Sequence, residues 1–255
     1  MKALTFCING KMAHFRKYYS NSSVLSYLLP PVTTVKGILA GLLGMPRDSY
    51  YELFSNANCK MAILLDKPAR KITQSLNLLL VEDTPQGLNG CAENRSPTST
   101  ELIIPENIRS SFLSYRIYFW HRDDTLMQKL YQSIFSQTGS YQSKGISLGL
   151  GSAYCLGWLS GCAFRELTEV PPSESFEPIY GAVLNHYIES ITFPKMQDTT
   201  LSREETLTEF DQNRRPTLHS KKEIIVNAGP SPLSLKLKKG TVCYMDGNKK
   251  FMFLE

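Results

Sequence analysis

Three segments of the chain carry residue types that could do chemistry. The first is His14-Phe15-Arg16-Lys17-Tyr18-Tyr19. An imidazole, an ammonium and phenols clustered in sequence are the parts of a general acid–base set, and His is the usual choice for proton transfer at a hydroxyl. The same run offers cations for phosphates and rings for bases, where stacking is worth about 1–3 kcal/mol per base. The second segment begins after Pro30-Pro31. The proline pair forbids an earlier helix start, and Thr33 or Thr34 can cap the helix beyond it. Amides at that helix start, helped by Thr33, Thr34 and Lys36, can face a phosphate. The third is Gly149-Leu150-Gly151-Ser152-Ala153-Tyr154, whose successive N–H groups can close on an anion. Together they describe a groove for single-stranded nucleic acid. Each also has a plainer reading: a solvated loop, helix–sheet packing through small residues, and a tight connection. Asp211–Arg215 reads more readily as a solvated charge run than as a phosphate contact.

Other chemistries are excluded. The glycine segment resembles half of a dinucleotide fingerprint, but Tyr154 stands where the third glycine belongs and no strand–helix–strand unit precedes it. There is no P-loop, no GxSxG and no HExxH. The six cysteines (7, 59, 91, 155, 162, 243) form no CxxC pair, and the four histidines (14, 121, 186, 219) do not bracket them at zinc spacing. No metal or other cofactor is expected. The N-terminal segment turns polar and basic too early for a signal peptide, so the reading is cytoplasmic and reduced. Residues 145–164 are uncharged and long enough to span a membrane, but five glycines and three serines leave too little apolar character, so no membrane partner is expected. His121 and Trp120, at the end of an apolar strand, read as structural.

The 255 residues carry a net charge of +5, and their 42% hydrophobic and 20% charged residues make a globular chain with a mild basic excess. Leu4, Phe6 and Ile8 share one face of a strand. Val35, Ile38, Leu39, Leu42 and Leu43 have helical spacing, with Gly37, Ala40 and Gly41 on the other side and Gly44 at the end. Strands are expected at 60–65, 70–81, 98–104, 115–121 and 160–167, with a loop at 83–95 and a second helix capped by Asp123 or Asp124. The order is the α+β, ferredoxin-like βαββαβ pattern with an inserted hairpin at about 70–104, spanning 1–169. A Pro/Ser-rich linker then leads to a small, mostly β region over 176–255, with Asp246-Gly247-Asn248 as a hairpin turn.

On the run from Phe6 to Phe54 the chain resembles the Cas-five family of CRISPR Cascade complexes. The residues are Phe15-Arg16, Ser26-Tyr27 and above all Pro30-Pro31-Val32-Thr33-Thr34-Val35-Lys36-Gly37-Ile38-Leu39-Ala40-Gly41-Leu42-Leu43-Gly44. Tyr115-Arg116-Ile117-Tyr118, Leu148–Ser152, Asp211–Arg215 and Phe251–Leu254 extend the likeness over nearly the whole chain, closest to the type I-B branch. The resemblance implies an RRM-like body with a protruding thumb hairpin that caps the 5′ handle of a CRISPR RNA. Its partners would be the crRNA, the Cascade backbone and large subunits and, through the complex, target DNA. The expected RNA-binding set is His14, Phe15, Arg16, Lys17, Tyr18, Tyr27, Thr33, Thr34, Lys36, Gly37, Arg70, Gly149, Gly151, Ser152 and Tyr154. In the type I-C branch the same fold cuts precursor RNA with a Tyr/Lys/His set. Here a non-catalytic subunit is expected, with metal-independent endoribonuclease activity as the alternative.

Overall fold

The computed structural model describes residues 1–20, 24–79, 95–135, 142–145, 148–192 and 200–255. The chain runs through β1 (Lys2–Gly10), the short β2 (Phe15–Arg16) and β3 (Ser26–Tyr27), α1 (Val32–Leu42) and β4 (Cys59–Leu65). A long hairpin comes next, β5 (Ala69–Leu79) and β6 (Arg95–Pro105), then β7 (Leu113–His121), α2 (Asp124–Ile134) and β8 (Gly157–Glu166). The C-terminal part comprises β9 (Thr168–Val170), β10 (Glu177–Ile179), β11 (Val183–Leu184), a 3-10 turn at Asn185–Tyr187 and β12 (Ile188–Thr192). It ends with β13 (Leu201–Leu207), β14 (Lys221–Asn227), β15 (Leu233–Leu237), β16 (Cys243–Asp246) and β17 (Lys249–Phe251).

The central sheet has the order β4-β7-β1-β8, every pair antiparallel. Its register comes from side-chain alternation. Leu4, Phe6 and Ile8 lie opposite Phe119, Ile117 and Tyr115 and face the apolar sides of α1 and α2. Ala3, Ala62, Leu64 and Tyr118 point the other way, into a second cluster closed by Tyr244, Phe251 and Phe253. Both faces are thus covered over β4, β7 and β1, while the edge strand β8 stays mostly exposed or half-buried.

Asp123 caps α2 as expected, its carboxylate accepting from the amides of Thr125 and Leu126. The N-cap of α1 is Pro31, with no side-chain cap bond, and Thr33 and Thr34 lie inside the first turn. This corrects the capping role expected of them: proline already fixes the entry geometry and leaves the hydroxyls on the helix surface. Gly44, at φ 72°, ends α1. The uncharged stretch enters a strand, β8, and no helix among the described residues is long and apolar enough to cross a membrane.

The inserted hairpin pairs from Ala69–Pro105 to Leu79–Arg95, and the expected loop at its far end falls mostly outside the described residues. Its base is tied to the body by Ala13–Ile103 and Val24–Thr100 bridges. The C-terminal strands form three further small sheets, and Ile179, Val183, Leu184, Ile224, Ile225 and Leu235 belong to the same core cluster as Leu4 and Leu39. They are therefore packed into the body, and the linker does not separate two cores.

Candidate nucleic-acid interface

Two adjoining lobes form a groove along α1. The first, about 500 Å³, is lined by His14, Phe15 and Arg16, Pro31 and Thr34 at the start of α1, Leu78 and Thr100 of the hairpin, Gly151, Ser152 and Tyr154, and Arg214. The second, about 460 Å³, runs over the small-residue face of α1 through Thr34, Gly37, Ile38 and Gly41 to Leu148, Gly149 and Gly151, again with Arg214. Thr34, Gly151 and Arg214 border both lobes. The arm after β1, the start of α1 and the glycine segment therefore meet at one place.

The glycine segment is a tight loop. Leu150 N donates to Cys155 O and Cys155 N to Ser152 O, with a bridge between Gly149 and Leu156. The loop docks on the arm that carries His14 through His14 N donating to Leu150 O at 2.9 Å. Gly151 is required at that contact. Its φ is 94°, and a Cβ there would sit 1.7 Å from the His14 carbonyl oxygen. Among the described residues the amides of Gly151, Ser152, Ala153 and Tyr154 have no protein acceptor, and those of Val32 and Thr33 at the start of α1 likewise. Loop amides left open in this way suit an anion. Tyr154 exposes half of its ring (49%).

The electrostatics agree. Arg16 is exposed and, among the described residues, holds only Ser20 O, at 3.2 Å. Arg214 is exposed at φ 60° in a turn organised by Asp211, whose carboxylate accepts from the amides of Asn213 and Arg215. Among the described residues no carboxylate lines either lobe.

Not all of the expected residues reach the groove. Lys36 is buried; its ammonium donates to Asn56 Oδ1 and Thr208 O, both at 2.9 Å, and burial pushes its pKa down. It fastens α1 to the C-terminal part and does not reach the groove, and Thr33 lies on that same side. Phe15 packs edge-on against Tyr115 inside the core, so its ring cannot stack on a base. Tyr27 is buried too and donates to Glu205 O at 2.6 Å. His14 is 5% exposed; its Nδ1 lies 2.7 Å from Glu101 O, and its buried Nε2 has no partner. Lys17 is paired with the fully buried Glu204 at 3.6 Å. Tyr18 is half exposed and donates to Glu205. Arg70 is exposed on the hairpin but lines neither lobe. Thr34, Gly37, Arg16, Gly149, Gly151, Ser152 and Tyr154 line the groove, and the buried His14 and Phe15 border it. Arg214 is the cation that sequence reasoning set aside, since only the tertiary fold carries its turn back onto α1.

His121 is structural, as expected: Nε2 donates to Leu53 O and Nδ1 accepts from Asp123 N, each at 2.9 Å.

The glycines of α1 differ in consequence. A Cβ at Gly41 would meet nothing within 4 Å. Gly41→Ala, in the last turn of α1, is therefore expected to raise stability by up to about 1 kcal/mol, the difference between Gly and Ala in a helix interior. Urea denaturation checks this, and a loss of stability would mean that the groove floor is already filled.

Over 98% of its length the chain is similar to 97% of the crystal structure of a CRISPR protein from Archaeoglobus fulgidus, with a TM-score of 0.55 and 9% identity. The two chains share a fold. A chain of a CRISPR RNA-guided surveillance complex (TM-score 0.42, 14% identity, 93% of this chain and 94% of that one) and a Cas protein crystal structure (0.40, 11%, 93% and 94%) are further similar structures. No family model and no curated protein matches the sequence.

Proposed function

We propose that this chain is a Cas-five-type subunit of a type I Cascade effector complex, closest to type I-B, and that its groove holds the 5′ handle of a CRISPR RNA. The observation that carries the reading is the groove itself. It combines open amides at Gly151, Ser152 and Tyr154, two exposed guanidiniums, one half-exposed ring and no lining carboxylate among the described residues. Single-stranded RNA is held by such backbone contacts and stacking. The fold shared with a CRISPR protein over almost the whole chain supports it. So does the strand order β4-β7-β1-β8 with a helix after β1 and another after β7, which we read as ferredoxin-like with the β5–β6 hairpin as thumb. In this reading the partners are the crRNA, the backbone and large subunits and, through them, target DNA.

We read the subunit as non-cleaving. Of the candidate acid–base groups, the His14 ring is buried against Glu101 O, Lys17 is held by Glu204, and Tyr18 is bonded to Glu205. His14 borders the first lobe, but its ring is buried, so none of the three is exposed beside the groove to take a proton from a ribose hydroxyl, which a general base must reach.

Binding of a labelled repeat-derived RNA to the purified full chain, measured by fluorescence anisotropy, tests the reading. The double variant Arg16→Ala/Arg214→Ala is expected to weaken binding about tenfold or more and to lower the slope of log K against log salt by about 0.7 per lost cation. Gly41→Leu, which fills the second lobe, is expected to weaken binding while the protein stays folded. Unchanged affinity in both variants would sink the proposal. Specific cleavage of the RNA without metal, lost in His14→Ala, would establish the endoribonuclease alternative instead.

A further inference from the structure

The C-terminal part carries a second basic surface that shares no lining residue with the groove. A hollow of about 320 Å³ is lined by His186 of the 3-10 turn, Leu218 and His219 before β14, and Lys221, Lys222 and Glu223 on β14. Its charges do not cancel. Glu223 is taken by Arg203, whose Nη2 donates to both carboxylate oxygens at 2.7 and 2.9 Å, and Lys221 is taken by Glu205 at 2.8 Å. Lys222 has no carboxylate partner among the described residues. Lys238 has none either among them, and donates to His186 O at 2.7 Å. Leu218, with 89% of its surface exposed, stands beside the hollow. Glu205, which pairs with Lys221, also accepts from Tyr18, so the half-exposed ring of Tyr18 adjoins this surface.

We propose that this hollow is a second phosphate-binding site that takes the sugar–phosphate backbone of a nucleic acid strand. Lys222 in the hollow and Lys238, bonded to the His186 carbonyl, repel one another until an anion enters. Rings beside cations suit a nucleic acid better than free phosphate, because bases stack where phosphates pair. The site leaves a pH signature. Burial, then Lys222 and Lys238, hold the His186 pKa below its usual value, so the ring is neutral in the empty site at neutral pH. A bound phosphate offsets those lysines and favours the imidazolium. Lys222, Lys238, His219, Lys221, Glu223 and the Tyr187 ring are the charged and titratable groups around it. Affinity therefore rises as pH falls through the histidine range.

The test uses the full chain, a short labelled oligouridylate and a short labelled DNA duplex, with anisotropy read at about pH 6 and about pH 8. His186→Asn/Lys222→Gln is expected to weaken binding of at least one probe about fivefold, to lower its salt slope by about 1, and to abolish the gain at low pH. Loss with oligouridylate identifies a single-stranded RNA occupant, and loss with the duplex identifies double-stranded DNA. Leu218→Glu puts a carboxylate beside the hollow from a position too exposed to disturb folding, and is expected to give the same loss. Unchanged affinity for both probes and an unchanged pH response in both variants would overturn the site. The inference does not depend on the groove. Arg16→Ala/Arg214→Ala is expected to keep the pH-dependent part of binding. If that variant loses it while the hollow variants keep it, the hollow fails and the groove reading stands.

Discussion

Replacing Glu204 by alanine is expected to cost about 3–5 kcal/mol, the range found when one partner of a buried charge pair is removed. The Glu204 side chain is fully buried on β13. Its carboxylate lies 3.0 Å from Lys71 Nζ of the hairpin and 3.6 Å from Lys17 Nζ of the arm, and accepts from Leu28 N and from Ser202 Oγ. Lys71 in turn donates to Ser26 O at 2.6 Å, and Glu101 on the returning hairpin strand accepts from Ser26 N. One carboxylate therefore joins three segments far apart in sequence: the arm, the hairpin base and the C-terminal sheet. Without it Lys17 loses its carboxylate and Lys71 keeps, among the described residues, only that of Glu101, at 3.8 Å. Since a domain of this kind is typically stable by only about 5–15 kcal/mol, the loss should be plain in urea denaturation. Glu204→Gln keeps an acceptor but not the charge and should fall between wild type and alanine. A loss under about 1 kcal/mol in Glu204→Ala would show that solvent or another carboxylate replaces the charge, against the pairing described.

Gly151→Val is the second large effect. The new Cβ would overlap the His14 carbonyl oxygen, a backbone atom that no rotamer change can move, at a φ that β-branched residues avoid. The strain is worth about 1–3 kcal/mol, and lifting the loop also forfeits the His14 N to Leu150 O bond, about 0.5–1.5 kcal/mol. The expected loss is about 2–4 kcal/mol, together with loss of the RNA binding proposed above, because the open amides move off the groove. Gly149→Ala is the control. Its Cβ would lie 3.7 Å from Ser152 O, an ordinary contact, with no positive φ to strain it. If Gly151→Val melts and binds like Gly149→Ala, the docking of the loop on the arm is wrong.

Glu204 and Gly151 both act on partners distant in the chain, whereas most of the elements rest on local signals. Alternation at Leu4, Phe6 and Ile8, the apolar spacing of α1 and α2, Asp123 as a cap, Gly44 as a terminator and the Asp246–Lys249 turn place most elements within a few residues. β13 escapes such reading because Leu201–Leu207 is a polar, charged stretch, and Glu204 and Thr206 are buried only because distant segments cover them. Lys36 shows the same failure on a helix. Its position next to Val35 and Gly37 suggests a cation at a ligand face, but Asn56 and Thr208 enclose it. Arg214 shows the converse, a residue in an ordinary polar turn that lands on the groove.

Residue order alone was enough for most of the helices and strands, for the absence of the familiar nucleotide and hydrolase motifs, and for the three segments that build the groove. It was not enough to say which side chains of those segments face the groove and which are spent holding it together; packing settled that. Helical and strand periods are written into residues a few positions apart. The burial of a charge depends on partners such as Thr208 or Glu204, which lie more than a hundred residues away in the chain and which no local pattern contains.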